Sequence, residues 1–600
     1  MKQDHFHCKV FKTKSFAAKF FNLYIIMFLL MAFPSVLFAQ QRAITGTVSD
    51  GNGESIIGVN VIEVGTTNGT ITDVEGKFSL NVSSPTAKLQ FRYIGYTTKE
   101  LSIDGKTALS VVLQEDTKAL DEVVVVGFGT QKKVNLTGSV SVATSKDIED
   151  RPVMLATQAL QGLIPGLNIS QNNGSLESRA SINIRGTGTI GQGSSGSPLI
   201  LIDGMEGDIN AVNPQDIDNI SVLKDAAASS IYGARAPFGV ILITTKKGKE
   251  GKVSINYNNS FRWNKPILLP EMMDSYTFAN YFNDASINSG GSAHFGDAWM
   301  NNILAYQRGE ITTPTVKMRN ANRWEEGFDP NGPNNTGGND NRNYYKELFR
   351  SSAMSQEHNF SISGANDKIN YYTAFNILGQ DGLMKFNQDS YDRYAATVKL
   401  GYKATDWLNV NYSNRFTRTK YERPSSMTNY FYETIAKFGW PTMPLYDNNG
   451  HLLSRMAIGL RDGGTDKNET DILYQQIQGI FEPVKNWKTF VEMNYSTGVA
   501  NRHWDSQTTY MHDVDGNPFA WSKNSNVHED QRKENYLNTN IYTEYTLSID
   551  NRHNLKAMAG MQYERMDQFL FGAQRDGILV PGINEIDGTS GVDWDGNPIV

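Results

Sequence analysis

From Lys252 onward, apolar and polar residues alternate one by one over runs long enough to make extended strands. No other feature narrows the fold as much. Val253, Ile255, Tyr257, Phe261 and Trp263 fall on one side of such a run, and Ser254, Asn256, Asn258, Ser260 and Arg262 on the other. The pattern returns in 369–377, 394–402, 408–412 and 541–547. Successive side chains of a strand point to opposite faces, so each run has one apolar and one polar face. Two folds produce this pattern: a sandwich with its apolar faces turned inward, or a barrel in lipid with its apolar face turned outward. Long polar stretches between the runs, such as 321–345, suit the exposed loops of a barrel better than the connections of a compact domain. Tyr257, Trp263, Tyr402 and Trp407 stand near run ends, where a barrel carries its aromatic girdles. A helical membrane protein is excluded, because no apolar run beyond residue 40 reaches the roughly 20 residues a membrane helix needs. A mean hydropathy of −0.43 agrees with that exclusion and leaves the barrel open.

The start of the chain fixes the expected compartment. Residues 1–40 read as an export signal, with Lys2, Lys9, Lys12, Lys14 and Lys19 ahead of an apolar segment from Phe20 to Leu30. Pro34 and Ser35 turn the chain before Ala39, the expected cleavage residue. Leu37, two positions earlier, is larger than ideal, which places the cut only to within a residue or two. A retained membrane anchor is the alternative, and the short apolar core argues against it. The only cysteine, Cys8, lies in this segment, so the mature chain is expected to have no disulfide, thiolate metal site, cysteine nucleophile or lipid-bearing cysteine. The net charge of −7 gives no electrostatic basis for binding nucleic acid. No His spacing suggests a metal site, and no cofactor is expected.

Between 41 and 115, short alternating strands and glycine turns follow closely, the pattern of a small β-sandwich. Asp73 and Glu75 beside Gly76 form either a hairpin turn or a pair of calcium ligands, and the turn is the simpler reading. A polar linker over 116–130 encloses Asp121, Glu122, Val123, Val124, Val125, Val126 and Gly127. Four consecutive valines make either a buried strand or an extended peptide offered to the sheet edge of a partner.

The densest motifs lie between 150 and 248. A short helix over 153–163 ends in the Pro-Gly stop of Leu-Gln-Gly-Leu-Ile-Pro-Gly (160–166). Ser-Ile-Asn-Ile-Arg-Gly (181–186) and Leu-Ile-Asp-Gly (201–204) read as strands closed by turns, and a further turn begins at Asn213-Pro214. Asp225 caps an alanine-rich helix that ends at Gly233, and 239–246 form a last strand. Gly186, Gly188 and Gly191 match Gly-x-Gly-x-x-Gly literally. A dinucleotide site needs a helix immediately afterwards, and Gly-Gln-Gly-Ser-Ser-Gly-Ser-Pro (191–198) cannot begin one.

In order and content, these motifs resemble the SusC/RagA family of TonB-linked outer-membrane transporters across residues 41–250, with Val-Leu-Lys-Asp-Ala-Ala (222–227) and Ile-Tyr-Gly-Ala-Arg (231–235) among the matched pieces. The resemblance implies a mainly β architecture: a carboxypeptidase-regulatory-like β-sandwich (41–115), an α+β plug domain (131–250), and over 251–600 the first part of a large transmembrane antiparallel β-barrel. It turns Asp121 to Gly127 into a TonB box, the peptide captured by periplasmic TonB. It also implies a SusD-like lipoprotein on the extracellular side and a glycan or peptide ligand. The sandwich name carries no peptidase activity, because His-Glu-x-x-His is absent. The expected protein sits among the outer-membrane lipids of a Gram-negative cell of the Bacteroidota type. With the signal running straight into the sandwich, no domain for direct transcriptional signalling is expected.

Residues 251–600 supply roughly 8 to 12 strands, whereas the large plugged transporters need about 22. The sequence is therefore expected to be the N-terminal portion of a longer polypeptide. The function implied is TonB-dependent import of a nutrient, an oligosaccharide or alternatively a peptide, without enzymatic activity. A siderophore or cobalamin receptor is the nearest rival. A surface adhesin or glycan-binding β-protein is more remote, and a surface hydrolase lacks both a nucleophile and an acid pair.

Overall fold

The computed structural model describes residues 42–592 except 52, 67, 85, 94–95, 115–122, 127–128, 133–138, 150, 152, 172–173, 177–179, 190–195, 327–336, 550–552 and 581. The expected export signal lies outside the described residues. Two compact units emerge: Met1–Val123 with Gln131–Asn135, and Val124–Thr130 with Leu136–Val600.

The first unit is a β-sandwich of β1 (Arg42–Ser49), β2 (Asn60–Glu63), β3 (Gly69–Ile71), β4 (Lys77–Val82), β5 (Lys88–Arg92), β6 (Lys99–Ser102) and β7 (Ala108–Val112). One sheet has the order β4-β1-β7 and the other β3-β2-β5-β6. Alternation does the folding: in β4, Phe78, Leu80 and Val82 are buried while Lys77, Ser79 and Asn81 are exposed. They meet Ile44, Val61, Leu89 and Phe91 in one core. Strands β3 and β6 were not foreseen, being short and weakly patterned. Asp73 accepts the Glu75 and Lys77 amides at 2.9 and 2.8 Å. Glu75 pairs with Lys77, so both carboxylates serve the hairpin.

Strands β8 (Val123–Val126) and β9 (Gly129–Lys132) pair as a two-stranded ribbon. An α+β body follows, made of β10 (Val140–Thr144), α1 (Ser145–Glu149), α2 (Ala156–Leu160), β11 (Leu167–Ser170), β12 (Ser181–Ile184), β13 (Leu199–Ile202), β14 (Met205–Glu206), β15 (Ile217–Leu223), α3 (Ala226–Ser229) and β16 (Val240–Thr245). Its five-stranded sheet runs β10-β15-β16-β13-β14, with β13 and β16 parallel. Val240, Ile241, Leu242 and Ile243 are all buried, as an unalternating apolar strand with both faces covered must be. The helix expected over 153–163 is confined to Ala156–Leu160. Asp225 caps α3 by accepting the Ala228 amide at 2.8 Å, and the chain then continues as a 3-10 turn that breaks at Gly233 (φ 57°). Gly186 to Thr189 and Gly196 to Pro198 are not helical and β13 begins at Leu199, so among the described residues no helix follows the glycines to hold a dinucleotide.

The largest element is a nine-stranded antiparallel sheet. Its strands and the elements between them are β17 (Gly251–Asn264), α4 (Ser275–Asn288), α5 (Asp297–Gln307), α6 (Tyr344–Leu348), β18 (Ala353–Ala365), β19 (Ile369–Asp381), β20 (Ser390–Thr405), β21 (Leu408–Pro424), α7 (Asn429–Phe438), α8 (Arg455–Asp462), β22 (Thr465–Val484), β23 (Trp487–Ser506), β24 (Thr509–His512), β25 (Pro518–Ser522), β26 (Asn526–Ile549) and β27 (His553–Asp576). Strands β24 and β25 form a separate hairpin, and the sheet order is β17 to β23, then β26 and β27. Each strand pairs with the next, with short turns such as 406–407 and 485–486 at one end and long segments such as 265–352 and 425–464 at the other. That asymmetry belongs to outer-membrane barrels, whose long loops are extracellular.

The polarity of this sheet is inside out. Val253, Ile255, Phe375, Ile477 and Met561 are all at least half exposed, whereas Asn376, Thr397, Asn494 and Asn538 on the opposite face are buried. A water-soluble sandwich reverses this; lipid requires it. Toward the long-loop end the outward face changes character. Arg418 meets Asp471 at 2.6 Å, Lys420 meets Glu469 at 2.7 Å, and His503 meets Glu529 at 2.6 Å. Strands β22 and β23 have 20 residues each and β26 and β27 have 24. A bilayer takes up only about 9–11 residues of a tilted strand. The extra length stands beyond the apolar band.

Candidate functional site

The expected TonB box falls on β8. Val123, Val124, Val125 and Val126 adopt an extended strand paired with β9, while Asp121, Glu122 and Gly127 lie outside the described residues.

The better-defined site is the seat of the α+β body against the inner face of the wall. Asp203 and Gly204 make the turn after β13 with φ of 50° and 87°. Left-handed backbone suits glycine and is uncommon for Asp, so something must hold Asp203 there. Its carboxylate accepts the Thr245 amide at 2.9 Å and the Thr245 hydroxyl at 2.7 Å. From the wall, Lys399 on β20 approaches the same carboxylate at 3.0 Å and donates to the Thr245 carbonyl at 3.2 Å. Gln476 on β22 donates to the Asp203 carbonyl at 3.1 Å. One ammonium thereby fastens the ends of two neighbouring strands, β13 and β16. Burial works against ionising Asp203, but Lys399 and the Thr245 amide outweigh it and hold the carboxyl below the usual carboxylate range.

Asp216 makes a second seat with the opposite electrostatics. Tyr372 donates to it at 2.8 Å and Thr397 at 3.4 Å, both from the wall. Burial dominates here and pushes its carboxyl up, because its wall donors are neutral hydroxyls. The fully buried Arg393 donates to the Asn210 carbonyl at 3.2 Å, Thr417 to the Ala211 carbonyl at 3.1 Å, and Asn213 to Asn359 at 2.6 Å. Arg235 bridges Glu206 and Glu564. At Gly207 a Cβ would stand 2.8 Å from the Tyr474 hydroxyl, so only glycine allows this approach. Reading the sequence missed all these wall residues. Their signal was there: in 394–402, Thr397 and Lys399 occupy the polar positions of an otherwise apolar alternation.

Among the described residues, no group of three or more His, Cys, Asp or Glu is placed to hold a metal ion. No helix there is long and apolar enough to cross a membrane.

The model of the TonB-dependent Receptor Plug Domain matches residues 132–240, the body just described, and that of the CarboxypepD_reg-like domain matches 44–125. TonB-dependent receptor SusC of Bacteroides thetaiotaomicron is 32% identical over 428 residues, 68% of this chain and 37% of its own length. The chain belongs to the SusC/RagA type of TonB-dependent receptors. TonB-dependent receptor P3 of Formosa agariphila is 33% identical over 361 residues, 60% of this chain and 31% of that receptor. The structure of the RagAB peptide transporter superposes with a TM-score of 0.63 at 22% identity, over 78% of this chain and 52% of the matched one. That likeness establishes the fold: plug and wall are those of a SusC/RagA-type barrel. The chain spans about a third to a half of the length of these relatives.

Proposed function

We propose that this SusC/RagA-type chain is part of an outer-membrane importer that moves a nutrient inward using work delivered by TonB, without chemical conversion of the cargo. The observation that carries the reading is the pairing of an inside-out wall with a plug seated by buried polar bonds. A lipid-facing sheet around a filled lumen makes sense for passage, and a filler held mainly by hydrogen bonds, with only a small apolar contact of Met205 against Tyr474 and Tyr536, is one that force can shift. In this reading TonB pairs with Asp121, Glu122, Val123, Val124, Val125, Val126 and Gly127 from the periplasm, through backbone bonds to an extended peptide. A SusD-like lipoprotein covers the extracellular mouth and hands over an oligosaccharide or a peptide. The RagAB structures, described as those of a peptide importer, support the peptide option.

The test is mass spectrometry of the full-length receptor purified from outer membranes in mild detergent. A stoichiometric SusD-like lipoprotein is the expected result. An intact barrel recovered without one would favour a stand-alone receptor of the siderophore or cobalamin kind. Recovery in the soluble fraction would overturn transport altogether.

A further inference from the structure

The inward positions of β17 to β21 carry charge of one sign. Arg262, Arg393, Lys399, Arg415 and Arg423 stand there against a single carboxylate, Glu357. The other acids of these strands, Asp381, Asp392 and Glu422, fall on outward positions. Strands β22, β23 and β26 differ, with both signs inward: Asp466, Glu492 and Glu534 beside Arg502 and Arg532. Arg393 is fully buried, and Lys399 and Arg415 nearly so. These three lie on β20 and β21, in the middle of the nine-stranded sheet and away from its free edges.

Buried cations are costly unless paired, and these are under-paired. Glu357 is shared by Arg262 at 2.8 Å and Arg393 at 3.7 Å. Arg393 Nη2, Arg415 Nε, and Arg262 Nε and Nη1 are buried without a hydrogen-bond partner. What the plug sets against the cations of β20 and β21 is a row of acceptors. Arg393 meets the Asn210 carbonyl, and Lys399 meets the Asp203 carboxylate and the Thr245 carbonyl. Arg415 acts on the same carboxylate while its guanidinium lies 4.5 Å from the Tyr474 ring centre. Seating the plug does not demand charge, since Tyr372, Thr397 and Thr417 do it with neutral hydroxyls. Guanidinium groups with unmet donors lower the stability of the seated state, where Thr or Asn would not. Their charge therefore serves a state in which something other than the plug faces them.

We infer that the cargo is an oligomer bearing several carboxylates, which take over from the plug acceptors on Arg393, Arg415 and Lys399 as it crosses. Rings and rows of Arg and Lys are what anion-conducting pores use, and a guanidinium fork matches a carboxylate with two parallel bonds. A neutral cargo would leave buried cations unpaired, which discriminates against it. Arg415 pairs across the strands with Thr397, so the cations follow one another along the wall over the six residues from Arg393 to Lys399, about 20 Å. That spacing calls for charges repeated along a chain. The inference rests on the proposed function and narrows its substrate to the acidic kind, whether a peptide rich in Asp and Glu or an oligosaccharide with uronic acids.

The test measures uptake by cells carrying the full-length receptor, with and without TonB. The probes are a tritiated casein digest and a tritiated partial hydrolysate of pectin, each split by anion exchange into an acidic and an uncharged fraction. The acidic fraction of one probe should be imported at least about tenfold faster than its uncharged counterpart, and which probe shows this names the source. Arg415→Gln should lower that preference severalfold, whereas Arg415→Lys, which keeps the charge, should retain it; a purely structural role would change total uptake and not the ratio. Should Arg415→Gln fail to fold, Ser413→Glu places a carboxylate opposite Lys399 and is judged in the same way. Equal or faster uptake of the uncharged fractions would overturn the inference, as would a preference untouched by a folded Arg415→Gln or Ser413→Glu. Uptake without TonB, or of none of the four fractions, would instead overturn the proposed function itself.

Discussion

The ammonium of Lys399 stands 3.0 Å from the Asp203 carboxylate and 3.2 Å from the Thr245 carbonyl, so one barrel side chain grips the plug at the ends of two parallel strands. Removing it leaves a buried carboxylate with its hydrogen bonds and, of the two cations that act on it, only Arg415. Lys399→Met should therefore loosen the plug by about 3 kcal/mol, the usual consequence of breaking a buried pair on one side. Limited proteolysis of the detergent-solubilised receptor reads this directly: cleavage within 199–245 should appear while the barrel stays intact. An unchanged cleavage pattern would mean the other contacts suffice.

Asp203 and Asp216 titrate in opposite senses. The Asp203 carboxyl is depressed, so its contribution is present above the unfolded value near 3.9 and is lost as pH falls through the lower folded value. The Asp216 carboxyl is raised, so the folded plug binds its proton more tightly, and stability declines as pH rises from about 3.9 through the higher value. Asp216→Asn should abolish that decline and leave the acid-side loss from Asp203 in place. Thermal unfolding midpoints measured from acid to neutral pH compare the two profiles, and superimposable curves would rule out a titrating Asp216.

Val124 is central to the proposed TonB box. Proline there removes a backbone donor and fixes φ, which is incompatible with continuous pairing to a partner strand. Val124→Pro should abolish TonB-dependent uptake while ligand binding at the cell surface persists. Retained uptake would place the box elsewhere.

The two faces of the wall should respond very differently to the same charge. Val491 points to lipid and Asn256 to the lumen. Val491→Lys should cost about 2–4 kcal/mol if it sits near the bilayer midplane, and Asn256→Lys little. The measurement is the fraction of receptor that reaches its folded, heat-modifiable form in the outer membrane. Equal yields would contradict the assigned orientation.

Much of this architecture was legible before any coordinates. The alternation of Val253 to Trp263 specified both the strand and its two faces, because a period of two cannot be satisfied any other way. Leu-Ile-Asp-Gly and Asp225 marked turns and caps whose chemistry is local. The helices Ser275–Asn288 and Asp297–Gln307 were not seen, since the region reads as polar loop and its aromatic residues act only together: Phe278, Phe282, Phe295 and Trp299 pack as one cluster with Trp440 from a distant loop. The seat at Asp203 was half visible. The strained turn is written in four adjacent residues, but its partner Lys399 lies on a strand whose register against the plug no local pattern encodes.

The ladder of Arg418, Lys420, Asp471 and Glu469 has a mechanical consequence. Strands of 20 to 24 residues exceed the bilayer by about ten residues, which at 3.3 Å per residue and the usual tilt is about 25 Å of wall. Ion pairs between neighbouring strands stiffen that extension where no lipid supports it. The loop helices accordingly ride on a rigid parapet clear of the headgroups, and whatever they grasp is met at a height that bilayer thickness does not set.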